Sequence, residues 1–317
     1  MTNVPTVLRS LPEPGGDIEV FAARWQRHMR AANKSERTIR DYMRVLAYFD
    51  KYLARSGGPR FVAQIERDHI EGFKLQWLEA KHPDGRPYEP NTSRVYTASL
   101  KSFFRWLTED IGELAENPAE RVKLPNVPKK IMPVPDRRDV EALLVTTKGR
   151  SFPDRRDRAI LGFLMSSGTR ETGVANIRLE DVHLDAGWVA ITLKGGDEHK
   201  ARLDNETVKD FDNYLAARAK HPAALSPYMW LGPKGRMTAS GIYQMIRRRS
   251  AEAGVDITPH DYRRFCTSEL FGRGASVDDV MQLLGWKDAS MARRYAAATA
   301  GERAAETHAR LNPRASI

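Results

Sequence analysis

The sequence predicts a mainly α-helical chain with one small antiparallel β-sheet, divided into two domains. Three observations predict it. Apolar residues recur at helical spacing through most of the chain, a proline-rich stretch interrupts them between residues 117 and 135, and one β-prone run breaks the pattern further on. A length of 317 residues also exceeds what a single compact core usually organises.

The elements follow in order from periodicity and punctuation. Residues 1–16 read as an N-terminal extension. Ile18, Phe21, Trp25 and Met29 form a first apolar stripe, and Ile39, Tyr42, Leu46, Phe49 and Leu53 a second. Ile70, Phe73 and Trp77 make a third, and Tyr96, Leu100, Phe103 and Leu107 a fourth, which gives a four-helix domain over residues 17–116. Ser35 and Asn91 stand where N-caps are expected, and Gly57-Gly58-Pro59 and Pro83-Asp84-Gly85 separate the helices.

Residues 117–135 hold Pro118, Pro125, Pro128, Pro133 and Pro135 together with Lys123, Lys129 and Lys130. Proline fixes φ and removes amide donors, so this stretch reads as an extended basic linker. After it, Asp136 can cap a helix holding Val140, Leu143 and Leu144, and a second helix runs from Asp154 to Ser167 with Gly168 as its stop. Trp188 to Leu193 is β-prone, Gly195-Gly196-Asp197-Glu198 supplies a turn, and Lys200 to Leu203 can return as the second strand of a hairpin. Helices resume near 208–219, 238–253, 261–273, 277–284 and 289–298. Residues 136–298 therefore form a mixed second domain, followed by a C-terminal tail, 299–317.

Charge narrows the function. Lys and Arg number 51 against 41 Asp and Glu, a net charge of +10. The excess is shared: residues 1–130 carry 22 basic and 17 acidic side chains, leaving 29 and 24 for the remainder. Both domains can therefore meet a phosphate backbone, and nucleic acid is the leading partner over ordinary solvated surface. No apolar run approaches the ~20 residues of a membrane span and no signal-peptide pattern opens the chain, which predicts a cytoplasmic protein without a membrane partner. The single cysteine, Cys266, sits beside Phe265 in an apolar helical pattern and reads as core.

Four motifs carry chemistry. Ser167-Gly168-Thr169-Arg170 is followed by Ile177-Arg178-Leu179-Glu180-Asp181-Val182, and Lys194 ends the first hairpin strand 24 residues after Arg170. Then come Pro259-His260-Asp261-Tyr262-Arg263 and Leu283-Leu284-Gly285-Trp286, with Tyr295 nine residues beyond Trp286. In order and spacing they resemble the tyrosine recombinase, or phage integrase, family. Arg37 to Leu53, and Phe103 to Leu107 followed by Asn117-Pro118-Ala119, are similar to that family's core-binding domain, so the resemblance covers about residues 17–298.

The chemistry accounts for the residue types. A phosphodiester under attack concentrates negative charge on its nonbridging oxygens, which Arg170 and Arg263 can hold with permanently protonated donors. Lys194 can protonate the departing 5′ oxygen, with Lys200 on the returning strand as its rival. His260, one helical turn before Arg263, can orient the phosphate or accept the tyrosine proton. Trp286 stands where histidine is commonest in the family. Its indole N–H can donate to a phosphate oxygen but cannot exchange a proton. Tyr295, flanked by arginines and alanines, is the expected nucleophile of a 3′-phosphotyrosyl intermediate. No cofactor and no metal is then expected, and no phosphate-cradling glycine loop or zinc spacing occurs in the sequence.

The resemblance implies a C-shaped clamp on double-stranded DNA, with a helical SAM-like domain on one face and the catalytic domain opposite. It implies a homotetramer on two DNA sites that exchanges strands through a Holliday junction, with the tail docking on a neighbouring protomer. The short N-terminal extension points to the simple type without an arm-binding domain, a phage or mobile-element integrase or a chromosome-dimer resolvase. An accessory DNA-bending or directionality protein is a partner the resemblance allows. The rival readings are a type IB topoisomerase-like enzyme and a DNA-binding regulator with weakened catalysis. Two departures stand out: Gly173 replaces the acidic residue usual three positions after the first arginine, and Arg264 replaces a frequent histidine.

Overall fold

A computed structural model describes residues 16–128, 133–193 and 196–298, with 301, 305 and 308. The expected tail beyond 298 lies almost wholly outside the described residues. The chain divides into two compact units, Met1–Lys130 and Ile131–Ile317.

The first unit is built from α1 (Ile18–Ala31), α2 (Glu36–Ser56), α3 (Arg67–Glu79) and α4 (Pro90–Arg105), the last continuing into a π-helical turn, Trp106–Asp110. All four apolar stripes face one core. In it Trp25 stacks on Tyr42 at 5.0 Å, and Phe49 meets Phe73 edge-on at 5.2 Å. Ser35 caps α2, accepting the Thr38 N–H at 3.1 Å. Asn91 does not cap α4. Pro90 occupies the first helical position, where its fixed φ and missing N–H cost nothing, and Glu89 is the N-cap residue.

The proline-rich stretch begins as part of this unit. Ala119 and Val122 are buried in the first core, and the Lys101 ammonium donates to the carbonyls of Ala119, Glu120 and Val122 at 2.6, 2.7 and 3.0 Å. That burial lowers the Lys101 pKa. Regular structure is absent over 122–128.

The second unit begins with α5 (Arg137–Val145), capped by Asp136, and α6 (Phe152–Ser167). Ser151 and Asp154 form a capping box at the start of α6, one turn earlier than the periodicity indicates. A short helix α7 (Glu171–Asn176) leads to a three-stranded antiparallel sheet of β1 (Val182–His183), β2 (Trp188–Thr192) and β3 (Glu198–Arg202). The hairpin register runs from Trp188 opposite Arg202 to Thr192 opposite Glu198. Val189, Ile191 and Ala201 point into the core. Next come α8 (Asn205–Arg218), the short pair β4 (Leu231–Gly232) and β5 (Gly235–Arg236), and α9 (Ala239–Glu252). The chain continues through α10 (Pro259–Gly272), α11 (Val277–Leu284) and α12 (Ala289–Ala298).

α6 is the central helix, packed against α8 and α10, and it buries Ile160, Phe163 and Leu164. A fully buried carboxylate ties it to α9. Asp157 accepts from Arg156 Nε at 2.9 Å and from Arg249 Nε at 3.0 Å. The two-residue strands β1, β4 and β5 and the six-residue α7 leave no periodic signature, so the sequence shows one hairpin where the fold has two small sheets.

Candidate active site

The site is assembled where four helix ends meet. α6 stops at Gly168, whose φ of +57° lets its N–H bond to the Leu164 carbonyl at 3.0 Å. A side chain there would strike Leu284, because a Cβ would lie 2.7 Å from Leu284 Cδ2. The turn carries Arg170 to the N-cap position of α7, where it is exposed. Among the described residues no hydrogen bond or ion pair engages its guanidinium.

α10 begins with Pro259 and a capping box in which Asp261 accepts the Thr258 N–H at 2.8 Å. His260 and Arg263 follow one turn apart on the same face. Arg263 is only 4% exposed. It donates from Nη1 to the Gly168 carbonyl at 2.6 Å and from Nη2 to the Leu284 carbonyl at 3.3 Å, so one guanidinium joins the ends of α6 and α11. α11 closes at Gly285 with φ +62°, and a Cβ at that position would lie 2.7 Å from Leu193 Cδ1. Trp286 then turns its ring beneath Arg263, whose Cζ is 5.0 Å from the ring centroid, and beside Tyr295 at 5.9 Å between centroids.

Five of the six expected site residues thus line one cleft of about 280 Å³: Arg170, His260, Arg263, Trp286 and Tyr295. The sixth, Lys194, lies outside the described residues, while its neighbour Leu193 lines the same cleft. Its rival Lys200 is exposed, with its ammonium 4.6 Å from the Trp188 ring centroid, and is not among the lining residues.

Electrostatics follow from the crowding of cations. Burial, then Arg264 and Arg263, lower the His260 pKa below its ordinary value, with Glu171 opposing. The imidazole is therefore neutral at pH 7. Burial, then Arg170, pulls Arg263 down to about 10, still protonated. Tyr295 is half-buried, which raises its pKa, while Arg264, Arg263 and Arg294 pull the other way. Both shifts favour the neutral forms, a protonated phenol and an unprotonated imidazole lining the same cleft.

Two departures from the family pattern acquire a physical meaning. A side chain at Gly173 would bring its Cβ to 2.9 Å from Thr169 Cγ2, so the buried Thr169 occupies the space an acidic residue needs. Arg264 is buried and paired with Asp261, three residues earlier. That spacing was the one sequence signal for the pair. Sequence reasoning missed Lys287, which pairs with Asp197 of the hairpin turn at the cleft's edge. Cys266 is core as expected, and burial pushes its thiol up to about 12. Among the described residues no group of three or more His, Cys, Asp or Glu could hold a metal ion, and no helix is long and apolar enough to cross a membrane.

Comparison with known proteins places the chain. The phage integrase family pattern matches residues 135–302, and the phage integrase N-terminal SAM-like domain matches residues 21–113. A tyrosine recombinase XerD of Listeria innocua is 29% identical, over 89% of this chain and 94% of its own. A Tn1549 transposon integrase in complex with a circular intermediate DNA has the same fold, with a TM-score of 0.71 and 15% identity over 91% of this chain and all of its own. A lambda integrase tetramer bound to a Holliday junction gives a TM-score of 0.67 and 12% identity over 91% of this chain and 83% of its own.

Proposed function

The chain belongs to the phage integrase family and is a tyrosine-type site-specific DNA recombinase, and on that premise we propose how its cleft performs the reaction. The observation that carries the reading is the convergence of Arg170, His260, Arg263, Trp286 and Tyr295, drawn from four separate segments, on one cleft. Arg170 and the free donors of Arg263 hold the two nonbridging oxygens of the scissile phosphate. The Tyr295 oxygen attacks phosphorus as neutral His260 takes its proton. The P–O5′ bond breaks, Lys194 protonates the leaving oxygen, and a 3′-phosphotyrosyl bond remains. Attack by a 5′ hydroxyl from the partner duplex reverses each step, so the bond energy is kept and no nucleotide is consumed.

Trp286 contributes by position. Its ring supports both Arg263 and Tyr295, and its N–H can donate but not exchange a proton. Both units bind duplex DNA in the cytoplasm, and four protomers join two sites, a reading supported by the DNA-bound integrases of the same fold. A second reading, chromosome-dimer resolution, is supported by the match to a XerD-named relative over 89% of this chain and 94% of its own. Sequencing the DNA beside the gene separates the two, since an adjacent attachment site identifies an integrase.

The test of the nucleophile is Tyr295→Phe on a nicked suicide duplex. Binding should persist while the covalent adduct, seen on a denaturing gel, disappears. An adduct formed by the mutant transfers the role to another residue.

A further inference from the structure

Away from the cleft, one aromatic ring carries two guanidinium groups. The Cζ of Arg236 lies 3.5 Å from the Tyr228 centroid and that of Arg178 lies 5.8 Å from it. The backbone dictates the grouping. Arg178 and Tyr228 form an antiparallel bridge, and the tight β4–β5 pair returns the chain so that Arg236 covers the Tyr228 ring. Lys234 is exposed on the turn between β4 and β5.

The acids nearby do not balance these cations. Arg178 pairs with Glu180 at 2.6 Å, and Asp181 accepts the Arg178 backbone N–H at 2.7 Å. Arg236 is different. Its Nη2 donates to the neutral Asn176 Oδ1 at 2.6 Å, and none of the described carboxylates pairs with it. Stacking fixes the plane of the guanidinium and Asn176 fixes its rotation, which leaves the other N–H donors of this exposed side chain without a partner among the described residues. A flexible surface arginine would lose rotamer freedom on meeting an anion, whereas this one is already ordered. Two cations held on one ring also repel each other, and a shared anion removes that cost.

We propose that Arg236, supported by Arg178 and Lys234, is a second phosphate-binding site for the DNA backbone, separate from the cleft of Tyr295. The inference rests on the reading that the chain acts on DNA. Its placement follows from α7. Arg170 caps the start of this helix and Asn176, which holds Arg236, ends it. Six residues at helical rise separate them by about 9 Å. The two arginines are thus held at opposite ends of one short helix, near enough for a single DNA backbone to meet both.

The experiment measures the affinity of the full chain for a short duplex of mixed sequence across a range of salt. Arg236→Ala should make the slope of log K against log salt shallower by about 0.9, the value of one phosphate contact, and Arg236→Lys should restore the slope. A scan of single methylphosphonate substitutions should then find one neutralised phosphate, distinct from the scissile one, that weakens wild type but not Arg236→Ala. An unchanged slope in a folded Arg236→Ala protein overturns the proposal. So does a mutant that loses only its thermal midpoint, which makes the cluster packing, or only self-association on DNA, which makes it a protein interface. A wild-type chain with no salt-dependent DNA affinity would instead overturn the functional reading on which the proposal stands.

Discussion

Arg263→Lys isolates what the guanidinium does beyond carrying charge. Of its five N–H donors, one is given to the Gly168 carbonyl at 2.6 Å and one to the Leu284 carbonyl at 3.3 Å, and the others remain for substrate. A lysine keeps the positive charge, but its single nitrogen cannot span both carbonyls and also reach two phosphate oxygens. Losing one positioned donor to a charge that develops in the transition state costs about 2.7–4 kcal/mol, or roughly a hundred- to a thousandfold in rate. The carbonyl left unpaired adds about 1–3 kcal/mol of instability to the folded protein. Single-turnover cleavage of a suicide substrate at saturating enzyme measures the first quantity, and chemical denaturation measures the second. DNA affinity should change little because the charge is retained. Cleavage within tenfold of wild type would refute the claim that the fork of Arg263 holds the transition state.

Three other predictions concern neighbouring groups. Lys194→Ala should slow cleavage by about two to four orders of magnitude with DNA binding intact, and a substrate with sulfur at the bridging 5′ position should restore it, because a thiolate leaves without an acid. Rescue of Lys200→Ala but not Lys194→Ala would exchange their roles. Because burial, then Arg264 and Arg263, lower the His260 pKa, its imidazole stays unprotonated further into acid, and the acid limb of the cleavage rate should lie below the ordinary 6.5. Arg264→Gln removes one of those charges and should move the limb upward; a limb that does not move separates Arg264 from His260. Asp157→Ala should cost about 3–5 kcal/mol in denaturation, since it leaves the buried Arg156 without a carboxylate among the described residues while Arg249 keeps Asp154, and a loss below about 1 kcal/mol would show that the network is not stabilising.

How far the sequence revealed the fold depends on the length of each element. Every helix of about eight residues or more presents an apolar face with the helical period, which is why α1 to α6 and α8 to α12 are legible. α7 and the strands β1, β4 and β5 are two to six residues long and are set by neighbours, so no local pattern records them. Caps were legible where the side chain itself does the capping, as at Ser35 and Asp136, and misread at Asn91, where proline decides the start.

The candidate site was legible for a different reason. Arg170, His260, Arg263 and Tyr295 are residue types that the proposed attack on a phosphodiester calls for, and Trp286 completes the closing motif, so types and spacing together stand out in the sequence. What holds them was not legible, because a carbonyl at residue 168 or 284 is available in any sequence and only the fold aims it at Arg263. On the proposed mechanism, the site is incomplete without DNA. Arg170, Arg263 and Arg264 lie close enough to shift one another or His260, and Asp261 and Glu171 are the acids that offset them. Burial penalises the charge of Arg263 further. A scissile phosphate supplies the missing negative charge, and the attacked phosphate gathers more of it in the transition state. The crowding that destabilises the empty cleft is therefore relieved most at the moment of reaction, which is the condition for binding energy to appear as rate.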